Sequence, residues 1–308
     1  AEDIKDIMTT GCDIHTSARN VMQTLAQLLR PALIPEVGNV FVVSDWSAIE
    51  ARMLPWLSDS EGGAKVLEVF ASGGDIYKET AAGIYYKPAD KIDPDQRQVG
   101  KVAVLSLGFG GAAGAFMAMG RNYGIHMTEA EIKGIVTKWR KANQWAVQFW
   151  SELMGAFERA WYRGGKEPAG RVTYYRYDDH MICRLPCGTE LTYPHVRADS
   201  EGFSFAKGAW TPKADAKEWP RNRIWHGILA ENITQASAAS LLRSALAECE
   251  RSGLPVVAHT HDEVILEVPT QDADKARDGL TNIMKAVPAW AKGLPLDAVA
   301  EIKTRYGK

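Results

Sequence analysis

Residues 256–268 read VVAHTHDEVILEV, two apolar runs on either side of a polar centre. Apolar runs of this length, rich in β-branched residues, are typical of strands, and the polar centre predicts a tight hairpin. In a hairpin tip, consecutive residues such as Asp262 and Glu263 point to different sides, so one carboxylate can bind a metal ion while the other supports it. A zinc or iron site that uses His259 and His261, which share a strand face, is the competing interpretation.

A second acidic residue follows another apolar run. Residues 41–46 read FVVSDW, the pattern of a buried strand that ends in a polar step. Asp45 stands where this strand would emerge, and its carboxylate suits Mg²⁺, which takes few protein ligands and prefers oxygen. Helix capping is the simpler explanation, because Ile49 to Leu57 has a helical pattern and Asp45 or Ser47 could cap it. This segment alone favours capping.

Two cations share one face of a predicted helix. Arg97 and Lys101 are four positions apart, so they lie one turn from each other on a helix over 97–107, which the glycine-rich run 108–111 would stop. The two charges repel unless an anion lies between them, and a polyphosphate would fit. A solvated basic face is the usual explanation for such a pair. Residues 102–107 are almost wholly apolar, however, which makes that explanation weaker here.

The remaining elements are predicted from periodicity and from capping residues. The small-residue run Gln235 to Ser240 lies in one of the helices, where it permits either tight helix packing or close approach of a nucleic-acid groove. We expect helices over 16–30, 63–71, 75–86 from an Asp75 cap, a long stretch from a Thr128–Glu131 capping box, 228–251 and 271–286, strands within 170–196 and over 297–303, and a loop-like segment over 200–222.

Composition limits the class of protein without naming a function. The chain has 308 residues, of which 46% are hydrophobic and 24% charged, and no apolar run is long enough to cross a bilayer, so no membrane partner is expected. The net charge of −2 gives no support to nucleic-acid binding, although a local basic track is compatible with it. Four cysteines in a chain this long indicate a reducing, cytoplasmic setting. Cys183 and Cys187 lack the second pair that a zinc site of cysteines needs.

Three motifs in order resemble family A DNA polymerases, the DNA polymerase I type. The first is SDWSAIEAR (44–52), the second is DIYKETAAGIY (75–85) with DQRQVGKVAVLSLGFGG (95–111), and the third is HTHDEVILEV (259–268). The stretches ICRLPCGTELTYPH (182–195) and ENITQ (231–235) are more similar to the bacteriophage branch. The resemblance runs from about residue 17 to the end.

The resemblance implies an α+β fold. Residues 1–58 and 228–308 would form the polymerase palm, an antiparallel sheet with helices. Residues 59–227 would form mainly helical fingers, with a β-hairpin insertion at about 168–225. Since only 44 residues precede Asp45, we expect the thumb to be absent, and the chain to be the palm and fingers of a longer or split polymerase that binds DNA weakly alone.

The resemblance also implies template-directed DNA synthesis by two metal ions. Asp45 and Asp262 would hold two Mg²⁺ ions, for which Mn²⁺ is the substitute, with help from the backbone carbonyl of Trp46. Glu263 would be a supporting carboxylate. Lys101 would bind the triphosphate and protonate the departing pyrophosphate. The partners would be a DNA template-primer, deoxynucleotides, and an upstream thumb or exonuclease segment or separate chain, in the cytoplasm of a bacterial host.

Residues around the incoming nucleotide and the DNA are implied in the same way. Glu50 would reject ribonucleotides by closing the space beside the sugar C2′. Where this chain has Phe109, the family usually has a Tyr whose hydroxyl bonds that glutamate, and where it has Leu105 the family usually has Phe or Tyr. Catalysis should survive both differences, whereas Glu50 would be less constrained. The triphosphate contacts would be Arg97 and Lys101, and the contacts to DNA would be His261 for the primer end and Gln235 and Arg52 for the duplex.

Two other functions compete with this one. A metal-dependent hydrolase or phosphodiesterase would use His259, His261 and Asp262, but it leaves Arg97 and Lys101 without a role. A non-catalytic accessory polymerase domain would have no need for both aspartates and both cations.

Overall fold

The computed structural model describes Met22, Leu25, residues 28–207 and residues 219–307. These residues form two compact units. The first contains the described parts of Ala1–Ser47, Leu242–Ala286 and Asp297–Lys308, and the second those of Ala48–Leu241 and Val287–Leu296. The boundaries between the two units fall at 47/48, 241/242, 286/287 and 296/297. The domain boundaries expected at 58/59 and 227/228 stay a prediction. Most of the helix predicted over 16–30 lies outside the described residues, although Met22, Leu25 and Leu28 are helical.

The first unit is built on an antiparallel sheet with the strand order β11-β1-β10-β9. The predicted hairpin is present, and so are the strands predicted at 41–46 and 297–303. The bounds are β1 Asn39–Trp46, β9 Val256–Thr260, β10 Glu263–Pro269 and β11 Ala298–Lys303.

Strand β1 is buried on both of its faces. Phe41 and Val43, on one face, form an apolar cluster with Ile265 and Tyr306. On the other face, helix α9 (Ala273–Lys285) packs against β1 and β11 and buries Ala276, Leu280 and Met284. This double burial explains why β1 reads as a continuous apolar run and shows no alternation.

The helices of the second unit begin where the sequence places capping side chains. Asp75 caps one helix, Asp93 and Gln96 form a capping box with Pro94 in the first turn, and Thr128 forms the predicted box with Glu131. The bounds are α1 Ile49–Ser58, α2 Glu61–Ala71, α3 Ile76–Tyr85, α4 Pro94–Leu107, α5 Ala113–Asn122, α6 Glu129–Ala142 and α7 Gln144–Arg163.

The predicted long stretch from Thr128 is two helices. Asn143, with φ −114° and ψ 51°, separates α6 from α7. The break lets the two helices face each other, and the rings of Trp139 and Trp150 stack with their centroids 6.1 Å apart. Continuous helical periodicity could not reveal this one-residue interruption.

Seven short strands follow α7 in the described part of the second unit. They form one sheet in the order β2-β3-β4-β5 and a second in the order β6-β7-β8. The second sheet corrects the loop-like prediction for 200–222, because β7 and the start of β8 lie there. The bounds are β2 Lys166–Ala169, β3 Val172–Tyr177, β4 His180–Arg184, β5 Glu190–Tyr193, β6 Arg197–Asp199, β7 Gly202–Ala206 and β8 Arg221–Ile224.

Helix α8 (His226–Arg251) carries the predicted run of small residues. Ser237, Ala238 and Ser240 are buried, with 0%, 9% and 4% of their surfaces exposed. Their burial supports the packing interpretation, in which small side chains let neighbouring elements approach closely. Among the described helices, none combines the length and apolarity needed to cross a bilayer.

Candidate active site

Strand pairing in the first unit brings two acidic positions together. Asp45, next to the last residue of β1, is paired with Glu263, the first residue of β10. Residues paired in this way in an antiparallel sheet have Cα atoms about 4.5–5.5 Å apart and side chains on the same face. The register therefore places two carboxylates side by side at one end of the sheet, although they are far apart in the chain.

Asp262 lies next to this pair, in the turn of the hairpin. Thr260 pairs with Glu263, so the turn has only two residues, His261 and Asp262. His261 adopts a left-handed conformation with φ 54°, and its Nδ1 lies 3.3 Å from Oδ1 of Asp262. His261 is exposed, and Asp262 is half-buried. The two predicted metal-binding aspartates thus belong to the same end of neighbouring strands.

Glu263 is buried and has a protein partner that the sequence did not predict. Tyr306 donates a 2.5 Å hydrogen bond from its hydroxyl to Oε1 of Glu263. Burial, and then this hydrogen bond, raise the pKa of Tyr306 to about 12. The tyrosine therefore stays protonated and keeps donating to the carboxylate at neutral pH. Nothing in the local pattern around Tyr306 indicates this contact.

Trp46 fixes the end of β1. Its side chain is buried, and its Nε1 donates a 2.7 Å hydrogen bond to the backbone oxygen of Met284 in α9. The next residue continues the anchoring, because the backbone N–H of Ser47 donates to the oxygen of Asp297 at 2.8 Å. These bonds hold the chain in place directly after Asp45.

In the second unit, Arg97 and Lys101 lie one turn apart on α4, as predicted. Arg97 donates from Nε to Oδ2 of Asp75 at 2.6 Å, and its guanidinium lies 5.2 Å from the centroid of the Tyr77 ring. Burial raises the pKa of Asp75, but hydrogen bonds from Arg97 and from the backbone N–H of Lys78 outweigh it and leave that pKa below its usual value. The sequence predicted Asp75 only as a helix cap. In the structure Asp75 caps the helix and also forms an ion pair with Arg97.

Lys101 lies among tyrosine rings. Its Nζ is 4.9 Å from the ring centroid of Tyr123 and 6.0 Å from that of Tyr77, within the range of cation–π attraction. Gly100 allows this arrangement, because a Cβ at that position would lie 2.1 Å from the carbonyl oxygen of Tyr77. Glycine thus permits α3 to pack against α4. Tyr77 lies within the second motif but was given no role of its own, and Tyr123 lies outside the three motifs.

Three of the predicted nucleotide-binding residues meet around a small cavity of the second unit. Glu50, Leu105 and Phe109 all line a space of about 50 Å³, together with Trp139 and other residues of α1, α2, α3, α4, α6 and α7. The carboxylate of Glu50 accepts a short hydrogen bond from Nε2 of Gln235. Gln235, which was predicted to contact the duplex, is therefore a partner of Glu50 in this structure.

Arg52 is buried in the second unit. Only 4% of its surface is exposed, its Nη1 donates to the backbone oxygen of Pro295 at 2.9 Å, and its guanidinium lies 4.2 Å from the centroid of the Phe70 ring. The helical phase of α1 turns this position inward. The predicted contact of Arg52 with the duplex stays a prediction.

The competing hydrolase site is not assembled. His259 is exposed on β9, and within the residues that the structure describes, His259, His261 and Asp262 do not form a compact set of three ligands. The thiol of Cys183 is buried, which raises its pKa to about 12 and disfavours the thiolate that zinc requires. Asp45, Asp262 and Glu263 do not form such a compact set among the described residues either, but Mg²⁺ is commonly bound by one or two carboxylates plus substrate phosphates and water.

Three comparisons relate this chain to known proteins. A profile of DNA polymerase family A matches residues 13–160. The DNA polymerase of Bacillus phage SP02 is 37% identical over 290 residues, which cover 92% of this chain and 44% of that polymerase. The chain is homologous to family A DNA polymerases. The thermostable DNA polymerase I of Thermus filiformis is 25% identical over 295 residues, which cover 94% of this chain and 29% of that protein.

A solved structure has a similar fold. The POL domain of Pol1 from M. smegmatis, in complex with a DNA primer-template and a dNTP, matches with a TM-score of 0.58 and 17% identity, covering 91% of this chain and 42% of that one. The predicted α+β class, helices with an antiparallel sheet, is confirmed. The chain spans less than half the length of these relatives.

Proposed function

We propose that this chain carries the nucleotidyl-transfer site of a template-directed DNA polymerase. The observation that carries the proposal is the register of β1 and β10, which pairs Asp45 with Glu263, the chain neighbour of Asp262. Homology to named DNA polymerases supports the same reaction. The similarity of fold also supports our proposal that residues 1–58 and 228–308 form the palm and residues 59–227 the fingers.

The carboxylates at the sheet end fit a divalent metal site. Asp45 and Asp262 offer hard oxygen ligands from adjacent strands, and Glu263 is held beside them by Tyr306. Magnesium ions bound there would lower the barrier by polarising the primer 3′-hydroxyl and by neutralising charge on the phosphate under attack. The carbonyl of Trp46 is anchored at the same strand end, where it would serve as a further ligand.

The cations on α4 fit the polyphosphate of an incoming nucleotide. The ion pair with Asp75 engages Nε of Arg97, and the Nη groups suit a forked hydrogen bond to phosphate oxygens. Lys101 would bind a phosphate as a point charge and donate a proton from Nζ to the departing pyrophosphate. Its tyrosine neighbours hold the side chain without neutralising it.

Glu50 would decide the sugar of the nucleotide. It lines a cavity with Leu105 and Phe109, and Phe109 has no hydroxyl with which to hold the carboxylate. Gln235 supplies a hydrogen bond to Glu50 instead. We propose that Gln235 fixes the glutamate beside the sugar C2′, so that deoxynucleotides remain preferred. His261 is exposed in the hairpin turn, where it would contact the primer end.

Primer extension tests the proposal. The full chain, with magnesium, labelled deoxynucleotides and an annealed primer-template, should lengthen the primer according to the template. A parallel assay with zinc and a generic phosphodiester tests the hydrolase. Because the chain spans 44% of its phage relative, we also propose that a segment matching the rest of that relative increases DNA binding. Hydrolysis without extension, or no extension even with that segment present, would contradict the proposal.

A further inference from the structure

Three metal-ligand side chains meet in the second unit, and none of them has a role in the proposed polymerase reaction. The ligand atoms of Asp179, His180 and His195 all lie within 4.8 Å of one another. Nδ1 of His180 is 2.5 Å from Oδ1 of Asp179, and Nδ1 of His195 is 2.7 Å from Oδ2. Two imidazoles thus converge on the two oxygens of one carboxylate.

Two separate backbone segments hold these residues together. Asp179 lies in the two-residue turn between β3 and β4, in which Asp178 has φ 55° and Tyr177 pairs with His180. His195 lies between β5 and β6 with φ 50°. The backbone N–H of Val196 donates to the backbone oxygen of Asp179 at 2.7 Å, so the two segments are joined directly beside the cluster.

The surrounding charges select among metal ions. Arg176 donates from Nε to the backbone oxygen of Asp178 at 2.6 Å, and Arg221 donates from Nη2 to that of His195 at 2.7 Å. Their positive charges oppose a cation that is held only by electrostatic attraction, such as Mg²⁺ or Ca²⁺. An ion that forms strong bonds to imidazole nitrogen is less affected, and two histidines with one carboxylate suit Zn²⁺.

The dimensions also fit zinc. Zinc bonds to nitrogen and oxygen are about 2.0–2.1 Å long, so ligand atoms around a tetrahedral ion lie about 3.3 Å apart. The ligand atoms of the three residues are between 2.5 Å and 4.8 Å apart, a range that includes this spacing. Small rotations of the side chains therefore suffice to admit the ion. The side chains of His180, Asp179 and His195 are 32%, 46% and 60% exposed, which leaves access for the ion and for a water molecule as fourth ligand.

We propose that Asp179, His180 and His195 bind one Zn²⁺ ion that fastens the β3–β4 turn to the β5–β6 connection. Each imidazole supplies an unprotonated nitrogen, and its hydrogen bond to Asp179 gives way to a bond with the metal. The ion has a structural role in the second unit. This inference does not depend on the polymerase proposal, because the carboxylates of the first unit take no part in it.

Spectroscopic titration of the full chain tests the site. The metal-free protein is kept in millimolar Mg²⁺ to occupy oxygen-ligand sites, then titrated with Co²⁺, whose visible absorption reports low-coordinate nitrogen ligation, and finally with Zn²⁺ as competitor. Wild type should bind one equivalent of either ion, and Zn²⁺ should raise its midpoint of thermal unfolding. Asp179→Asn, His180→Gln and His195→Asn should each weaken binding by about tenfold or more.

Matched controls separate this site from others. Asp178→Asn removes the same charge one residue away, and Asn tolerates the left-handed conformation at that position. His126→Gln removes an exposed histidine outside the cluster. Both should bind zinc like wild type, as should Asp45→Asn. Lack of a one-equivalent transition in wild type, or a transition that survives all three cluster substitutions, would overturn the proposal.

Discussion

The carboxylates of the first unit and the cations of the second are positioned by different kinds of structure. Asp45 and Glu263 come from distant parts of the chain and meet through the pairing of β1 with β10. Arg97 and Lys101 are neighbours because they lie one turn apart on the same helix. The first arrangement depends on the register of a whole sheet, and the second depends only on local helix geometry.

The difference has consequences for tolerance to substitution. A shift of one residue in strand register would turn every side chain to the opposite face, so the carboxylates are specified by the entire core of the first unit. The positive charges of Arg97 and Lys101 lie at the ends of long side chains. The placement of these side chains depends on local partners such as Asp75, Tyr77 and Tyr123. We therefore expect all-or-none effects from Asp45 and Asp262 in the first unit and graded effects from the cations of the second.

The largest effect should come from the sheet-end aspartates. Asp45→Asn or Asp262→Asn should lower nucleotide addition by about 10³-fold or more, because each removes charge that holds the ions responsible for several kcal/mol of barrier lowering. Primer-extension rates measure this loss. The stability of both variants should match wild type, and Asp274→Asn, on the exposed side of α9, is the control. If either aspartate variant retained a tenth of wild-type activity, the expected difference between the carboxylates and the cations would be contradicted.

The next effect concerns the cation on α4. Lys101→Ala should lower turnover by about 10- to 100-fold, since general acid assistance contributes about 10²–10⁴-fold and water can replace part of it. Single-turnover kinetics at saturating nucleotide provide the measurement. Lys138→Ala is matched, because Nζ of Lys138 also lies over a tyrosine ring, that of Tyr86 at 5.1 Å. Equal losses in both variants would show that the cation–π contact, and not phosphate chemistry, is responsible.

Sugar selection should respond more weakly. Gln235→Ala frees Glu50 from its hydrogen bond, and we expect incorporation of ribonucleotides relative to deoxynucleotides to rise by about tenfold, within the range that one pocket contact provides. Phe109→Tyr offers a new hydroxyl and should reduce that rise in the double variant. Competition assays give the ratio. An unchanged ratio in Gln235→Ala would show that Glu50 is held by other contacts.

The smallest effect on catalysis should come from Tyr306. Tyr306→Phe leaves the buried carboxylate of Glu263 without its donor, so the free energy of unfolding should fall by about 1–3 kcal/mol. Denaturant titration measures that loss, and the exposed Tyr162→Phe is the control. Activity should fall less than tenfold, because Asp45 and Asp262 remain. A loss of activity as large as that of Asp262→Asn would make Glu263 a primary ligand.

The sequence pattern correctly predicted those elements whose structure depends on interactions between residues close together in the chain. The hairpin at 256–268, the caps at Asp75 and Thr128, and the Arg97–Lys101 spacing all follow from periodicity or from turn and capping chemistry. The pairing of Asp45 with Glu263 does not follow from either strand alone, and the family resemblance was needed to suggest it. The local pattern favoured helix capping by Asp45 or Ser47, whereas the N-cap position of helix α1 is Ala48, which makes no side-chain cap hydrogen bond.

The sequence did not predict the contacts between segments that are far apart in the chain. The packing of distant elements determines the hydrogen bond from Tyr306 to Glu263 and the one from Gln235 to Glu50. It also determines the burial of Arg52. The sequence also did not predict the break at Asn143 or the strands β7 and β8, because tertiary packing overrides weak local preference. Asp179, His180 and His195 gave no recognised signal, since their convergence requires two turns to meet.

Direct measurement of metal binding tests the central claim, that Asp45 and Asp262 share divalent ions. Mn²⁺ binding is followed by electron paramagnetic resonance on the His180→Gln background, which removes the proposed zinc cluster, with a dideoxy-terminated primer-template and a matching deoxynucleotide. We expect Asp45→Asn and Asp262→Asn each to weaken Mn²⁺ binding by about tenfold or more relative to Asp274→Asn. Undiminished Mn²⁺ binding in both aspartate variants would contradict the account.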